Sequence, residues 1–342
     1  IRDSASGSGG DTRIVTDEQG RWSLDTLPPV EDLKVTLTVS HPDYIDDSRG
    51  DLAKAQAVTT AQLRNQSATV VMQQGVVVSG MLKDPNGDPV TDGLVVWGDA
   101  PYGTPGSQEV QIKVDGSYEL PSMLPGKQRI TVVARGFRPE TRMIEVEKMM
   151  SDVDFEMVNG STISIRLEDA KTGDPIAGYV AIDRWRGAQS LYSHQHPSVM
   201  DSGVPVRTND AGIYQWTWAP DDEVEYTVSA IGYSPRDVTL TASTETHVVK
   251  LYKPLEIAGS VFDKKTGDRI DTFSVVPLRY SDPEKRPDRF HEQNHSLEHG
   301  KNGRFRVDTF LEGAYRFKIQ AQGYEPYVTE MYKTGDEVPQ LK

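Results

Sequence analysis

Apolar and polar residues alternate over short runs along this chain, and three of those runs share one design. In "VSGMLKDPNGDPV", "ISIRLEDAKTGDPI" and "IAGSVFDKKTGDRI" the alternation enters a turn ending in Gly-Asp and leaves it as a new apolar run. A period of two places one face in a core and the other in water, which marks a β-strand. Gly and Asn in the turn tolerate the positive φ that a tight hairpin needs. A second pattern follows each of these: a Gly turn, an aromatic strand, another turn, a Val/Thr-rich strand, and a closing Gly-aromatic pair. "VDGSYELPSMLPG" with "ITVVARGF" shows it most fully.

The second pattern has a measurable period. Its first glycines are Gly20, Gly116, Gly212 and Gly303, in steps of 96, 96 and 91 residues. From there to the closing glycine is 20 residues three times, at Gly136, Gly232 and Gly323. Self-similarity at a fixed period predicts tandem units, with boundaries near Gly75, Gly160 and Pro254. The expected units are 1–75, 76–159, 160–253 and 254–342. Short strands with frequent turns predict an all-β chain of antiparallel Greek-key β-sandwiches, Ig-like in build and arranged as a rod. Thr59–Gln66, "TTAQLRNQ", is the one helix candidate of note. The first unit lacks the opening hairpin. The fourth runs 18 residues from Tyr324 to Lys342, against 19 from Tyr233 to Tyr252 in the third, so its last strand is expected to be incomplete. Such ends fit an internal segment of a longer repeat protein, or a filament whose neighbouring subunits complete each other by strand addition.

The "KTGDPI" turn and the run "DGSYELPSMLPGKQRITVVARGF" resemble the carboxypeptidase regulatory-like domain, a transthyretin-like sandwich related to the collagen-adhesin B-type repeats of bacterial surface proteins. The resemblance covers nearly the whole chain. It implies a spacer, stalk or accessory module of a bacterial exported protein, located outside the cell, on its surface or in the periplasm. It brings no catalytic residues. Many collagen-adhesin domains carry a Lys-Asn isopeptide bond with a catalytic Glu, but "LPSMLPGKQ" offers no such Glu and no bond is expected here.

Charge narrows the partners. A net charge of −14 disfavours nucleic acid and anionic membranes, which both select basic patches. No apolar run reaches the ~20 residues of a membrane helix. The chain has no cysteine, which removes disulfides, thiolate metal sites and cysteine nucleophiles. The partners left are other domains of the same chain, neighbouring copies, a glycan or a surface protein.

Candidate chemistry sits in three loops of unequal length between the hairpin and the Gly turn, since loops on a rigid scaffold carry binding. Trp97 and Tyr102 in the first, and Trp185, Arg186 and Tyr192 in the second, have the ring faces and guanidinium to stack on sugars or grip a protein. The third loop holds HExxH at His291, Glu292 and His295. With His299 the imidazoles fall four apart, so a helix would align all three for zinc. "SDPEKRPDR" just before it breaks helices, and a peptidase needs a firm helix in a cleft, so the motif reads as a polar insertion between strands. The Asp-rich turns suggest calcium, but counting from Asp84 the EF-hand positions six and twelve hold Pro89 and Val95. No cofactor is expected, with Ca²⁺ or Zn²⁺ as the candidates, and no enzymatic activity.

Overall fold

The computed structural model describes residues 14–23, 30, 33–35, 37, 39, 41, 44–45, 58–98, 108–147, 150–186, 191, 206–280, 284–286, 289–293 and 298–337. Contacts divide the chain into two compact units, one running to Gly160 and the other beginning at Ser161.

In the first unit, β1 (Lys34–Val35) pairs antiparallel with β2 (Val58–Thr59). Helix α1 (Thr60–Arg64) follows, as the sequence predicts. Thr59 caps it: the hydroxyl accepts from Gln62 N, and the Gln62 side chain accepts from Thr59 N, a reciprocal capping box.

Seven strands then build a sandwich: β3 (Val76–Lys83), β4 (Gly93–Trp97), β5 (Gln108–Gln111), β6 (Ser117–Met123), β7 (Gly126–Ala134), β8 (Glu140–Val146) and β9 (Phe155–Glu156). One sheet has the order β6-β3-β9 and the other β5-β4-β7-β8. All pairings between named strands are antiparallel except that of β3 with β9, the first and last strands of this sandwich. Val78, Leu82, Val95, Leu120, Ile130 and Phe155 fill the space between the sheets. Inward residues recur at every second position, the alternation visible in the sequence.

The second unit opens with the same topology. Strands β10 (Ser161–Asp169), β11 (Tyr179–Trp185), β12 (Val206–Arg207), β13 (Ile213–Ala219), β14 (Val224–Ser229), β15 (Arg236–Leu240) and β16 (Thr246–Leu251) form sheets β13-β10-β16 and β12-β11-β14-β15. The parallel pair is β10 with β16.

A third unit follows, whose strands join in one eight-stranded sheet around a core of their own: β17 (Glu256–Ser260), β18 (Thr272–Tyr280), β19 (His291–Glu292), β20 (Glu298–Lys301), β21 (Arg304–Asp308), β22 (Ala314–Gln320), β23 (Tyr327–Val328) and β24 (Tyr332–Lys333). Its strands follow the order β17-β21-β20-β18-β22-β23, with β19 on β18 and β24 on β22. Asn302 and Gly303 turn β20 into β21 with φ of 54° and 67°, the double positive φ of a two-residue hairpin. Ile257, Phe273, Val275, Phe305 and Phe317 form its core.

Gly116, Gly212 and Gly303 have φ of 82°, 74° and 67°, so the repeated glycine marks a turn in the left-handed region. Gly212 also lies against backbone. A Cβ there would stand 2.8 Å from both Ile176 O and Leu167 O.

Candidate functional site

The ligand-binding candidates among the described residues are spent on packing. Trp97 closes β4 two residues after Val95, and both rings and methyls point into the core; Trp97 is 1% exposed. Trp185 is also 1% exposed, at the end of β11. A register shift between Ile182 and Arg184 explains it. The bulge reverses the alternation, so the core face passes from Val180 and Ile182 to Trp185. Neither indole offers a face to a ligand, which corrects the expectation of stacking residues. Tyr102 and Tyr192 lie outside the described residues.

Arg186 is exposed but engaged. Its backbone has φ of 48°, its Nε donates to Asp222 Oδ2 at 2.7 Å, and its guanidinium covers the Trp185 ring at 4.6 Å. Trp185 Nε1 donates to the other oxygen of the same carboxylate at 2.7 Å. Burial raises the Asp222 pKa, but the bonds from Arg186 and Trp185 outweigh it and hold the carboxyl below its usual range. Asp222 thus fixes the β11 end to the β13–β14 turn. The sequence holds no local sign of this pairing, because 36 residues separate Arg186 from Asp222.

The HExxH segment is strand where it is described. His291 pairs with Arg279 and Glu292 with Leu278, while His299 pairs with Ser274. Five strand steps separate Ser274 from Arg279 on β18, about 17 Å at ~3.4 Å per residue. His291 and His299 are therefore not successive turns of one helical face. The helical face expected for His291, His295 and His299 is corrected: β18 takes His291–Glu292 and Glu298–Lys301 as antiparallel partners. His295 lies outside the described residues. Glu292, the general base of such a motif, forms an ion pair with Lys318 on β22. Among the described residues no group of three His, Cys, Asp or Glu side chains is placed to hold a metal ion.

The Asp turns have a structural task. Asp84 Oδ1 accepts from Asn86 N at 2.8 Å and Asp88 N at 2.9 Å. Asp169 Oδ1 accepts from Lys171 N and Thr172 N, and Asp263 Oδ1 from Lys265 N and Thr266 N. The free oxygen of Asp169 takes the Tyr233 hydroxyl at 2.7 Å, and that of Asp263 takes Tyr324 at 2.9 Å. The closing Gly-aromatic pair and the hairpin turn are thus two halves of one latch. In the 76–157 sandwich Phe137 has no hydroxyl, and the Asn86 amide bonds Asp84 Oδ2 in its place at 3.2 Å. The Tyr233 bond holds Asp169 below the usual carboxylate range, and burial with that bond pushes Tyr233 up to about 12.

Comparison with known proteins adds little beyond this geometry. No protein-family model matches the chain, and no curated protein matches it. Among solved structures it is similar to the Bacillus anthracis TIE protein, at 15% identity over 80% of this chain with a TM-score of 0.22. The chain spans about half of that protein, 51% of its length. A streptococcal ancillary pilin matches at 14% identity over 78% of this chain and 97% of its own, with a TM-score of 0.27. GBS52, a minor pilin of Streptococcus agalactiae, matches at 14% identity over 57% of this chain and 100% of its own, with a TM-score of 0.26. Likeness this distant assigns no function. The chain is an all-β protein of sandwich repeats.

Proposed function

We propose that this chain is a non-enzymatic structural section, a spacer or assembly module, of a bacterial extracellular or cell-surface protein. The observation that carries the reading is the use of the same seven-strand plan at 76–157 and again at 161–251, each with its own core and its own Asp turn. Stacking of like units, each contacting its neighbours, is how repeat proteins build extended scaffolds. The side chains with the most chemical promise support the same reading: Trp97 and Trp185 are core, Arg186 is held by Asp222, and Glu292 by Lys318. The carboxypeptidase regulatory-like and collagen-adhesin resemblance fits this role.

Capture on glycan arrays and surface-protein panels tests it against an adhesive role for the variable loops. The spacer reading expects no saturable capture. Saturable capture that disappears when residues 187–205 are replaced by a Gly/Ser loop would overturn it.

A further inference from the structure

Within the compact half that begins at Ser161, the 161–251 sandwich and the strands from β17 on are joined by a short link. Strand β16 ends at Leu251 and β17 begins at Glu256, which leaves Tyr252 to Leu255 between them. Both ends of the link are anchored. The Tyr252 carbonyl accepts from Ser234 N at 2.9 Å, which ties it to the earlier sandwich. Leu255 is buried in the later core, where its N–H donates to Thr309 Oγ1 at 3.1 Å and its carbonyl accepts from Thr309 N at 2.9 Å. Only Lys253 and Pro254 lie between these anchors. The proline ring fixes its own φ and biases the residue before it toward an extended backbone, so few dihedrals are left to swivel.

Side chains also meet across this link, at three points. Lys171 Nζ lies 2.5 Å from Glu337 Oε1, and Arg236 Nε lies 3.6 Å from Glu312 Oε2. Gly335 sits against the Tyr252 ring, so closely that a Cβ on it would stand 2.5 Å from Cδ1. The cations belong to the earlier sandwich and the carboxylates to the later strands, so the two surfaces are complementary in charge.

Each surface is held in shape by its own fold. On the earlier side, Lys171 N donates to Asp169 Oδ1 at 2.8 Å, and Arg236 Nη1 donates to Lys250 O at 3.1 Å. On the later side, Thr334 N donates to Gly313 O and Gly313 N to Thr334 Oγ1, both at 2.9 Å, which ties the 333–337 turn to the start of β22. Arg279 grips Glu312 O through Nε and Nη2, at 3.1 and 2.8 Å.

The surface is not repeated in the 76–157 sandwich. Counting from the closing glycines, Gly232 and Gly136, the place of Arg236 is taken by Glu140. The bond of Arg138 N to Val158 O matches that of Ser234 N to Tyr252 O, so Val158 stands where Tyr252 does.

We propose that the 161–251 sandwich and the strands from β17 on form one rigid arm, with Lys171, Arg236 and Tyr252 as a docking surface for Glu312 and the 333–337 turn. The partner this surface fits is an acidic, glycine-containing turn supplied by the same chain. Exposed ion pairs contribute little to stability, so the surface sets orientation while each core still unfolds on its own. This role goes beyond the spacer reading and holds with or without it.

The chain has no cysteine, so spin labels can be placed at chosen positions. Labels on the exposed positions Thr239→Cys and Arg304→Cys report across the joint, and labels on Thr217→Cys and Thr239→Cys give a reference within one sandwich. By double electron–electron resonance, the cross-joint distance distribution should be single and less than twice as wide as the reference. Gly335→Leu drives a side chain into the Tyr252 ring and should at least double that width. Reversing both cations, Lys171→Glu with Arg236→Glu, should do the same without that steric change. Reversing both carboxylates as well, Glu312→Lys with Glu337→Lys, should restore the narrow distribution. The reference should stay as it is in every variant. A parent distribution more than twice as wide as the reference would by itself overturn the proposal. So would a width unchanged by Gly335→Leu or by the reversed cations, or a failure of the reversed carboxylates to restore it.

Discussion

Replacing Gly212 by alanine places a methyl group where the backbone leaves no room. The new Cβ would lie 2.8 Å from Leu167 O, 2.8 Å from Ile176 O and 3.1 Å from Ile176 N. Gly232, in the same sandwich, is the natural control: its φ is 83°, close to the 74° of Gly212, but nothing lies within 4 Å of its added Cβ. Both substitutions force an L-residue into the left-handed region, at about 1–2 kcal/mol. Only Gly212→Ala also collides with main chain, which yields less readily than a side chain and adds about 1–3 kcal/mol. The expected losses are therefore about 1–2 kcal/mol for Gly232→Ala and about 2–5 kcal/mol for Gly212→Ala. Trp185, Trp216 and Trp218, three of the five tryptophans, lie in this sandwich, so fluorescence during urea unfolding reports on it. With a slope of about 1–2 kcal/mol per molar urea, the two midpoints should differ by roughly 1 M. Equal midpoints, or a larger loss at Gly232, would refute the steric argument.

Other outcomes follow from the same contacts. Gly303→Ala should cost less than Gly212→Ala in urea unfolding, because its added Cβ meets only the Arg269 side chain, at 3.0–3.3 Å. Trp97→Ala and Trp185→Ala should each cost about 3–5 kcal/mol of stability, measured by the same unfolding; stable variants would mean that the indoles are not core. The Asp turns predict an acid arm. Asp84, Asp169 and Asp263 are held below their ordinary values, by the Asp88 amide, the Tyr233 hydroxyl and the Thr266 amide respectively. Their contribution is present above the unfolded pKa and lost as pH falls through the folded one, so melting temperature should drop below about pH 4, less steeply in Asp169→Asn. Tyr233 sets an alkaline arm. Its pKa is raised to about 12, so its contribution is whole below about pH 10 and declines as pH rises toward 12, a decline that Tyr233→Phe should reduce.

The hairpins and their period were legible because the responsible forces are local. A Gly at positive φ, an Asp accepting amides two to four residues on, and period-two alternation all leave marks within a dozen residues. The fates of side chains were less legible, because they depend on partners far along the chain. Trp185 faces the core only because a bulge at Ile182 and Arg184 reverses the alternation. Arg186 is neutralised by Asp222, and Glu292 by Lys318, across 36 and 26 residues. For Trp97 a signal was present, since it continues the inward positions of β4 after Val95. The Asp169–Tyr233 latch joins two motifs that the sequence shows separately; nothing in either one names the other.

The central claim is that the chain is a series of structural units, each held by its own core. Pulling single molecules from their ends tests it most directly. The sandwich from Val76 to Met157 holds about 80 residues, which extend to about 290 Å at ~3.6 Å each. Separate unfolding events are predicted for this sandwich, the one at 161–251 and the unit from 256 on, each lengthening the chain by roughly 250 Å after the folded length is subtracted. Gly212→Ala should lower the force of one event and leave the others unchanged. A single event that releases the whole chain, or a mutation that weakens every event equally, would contradict the account.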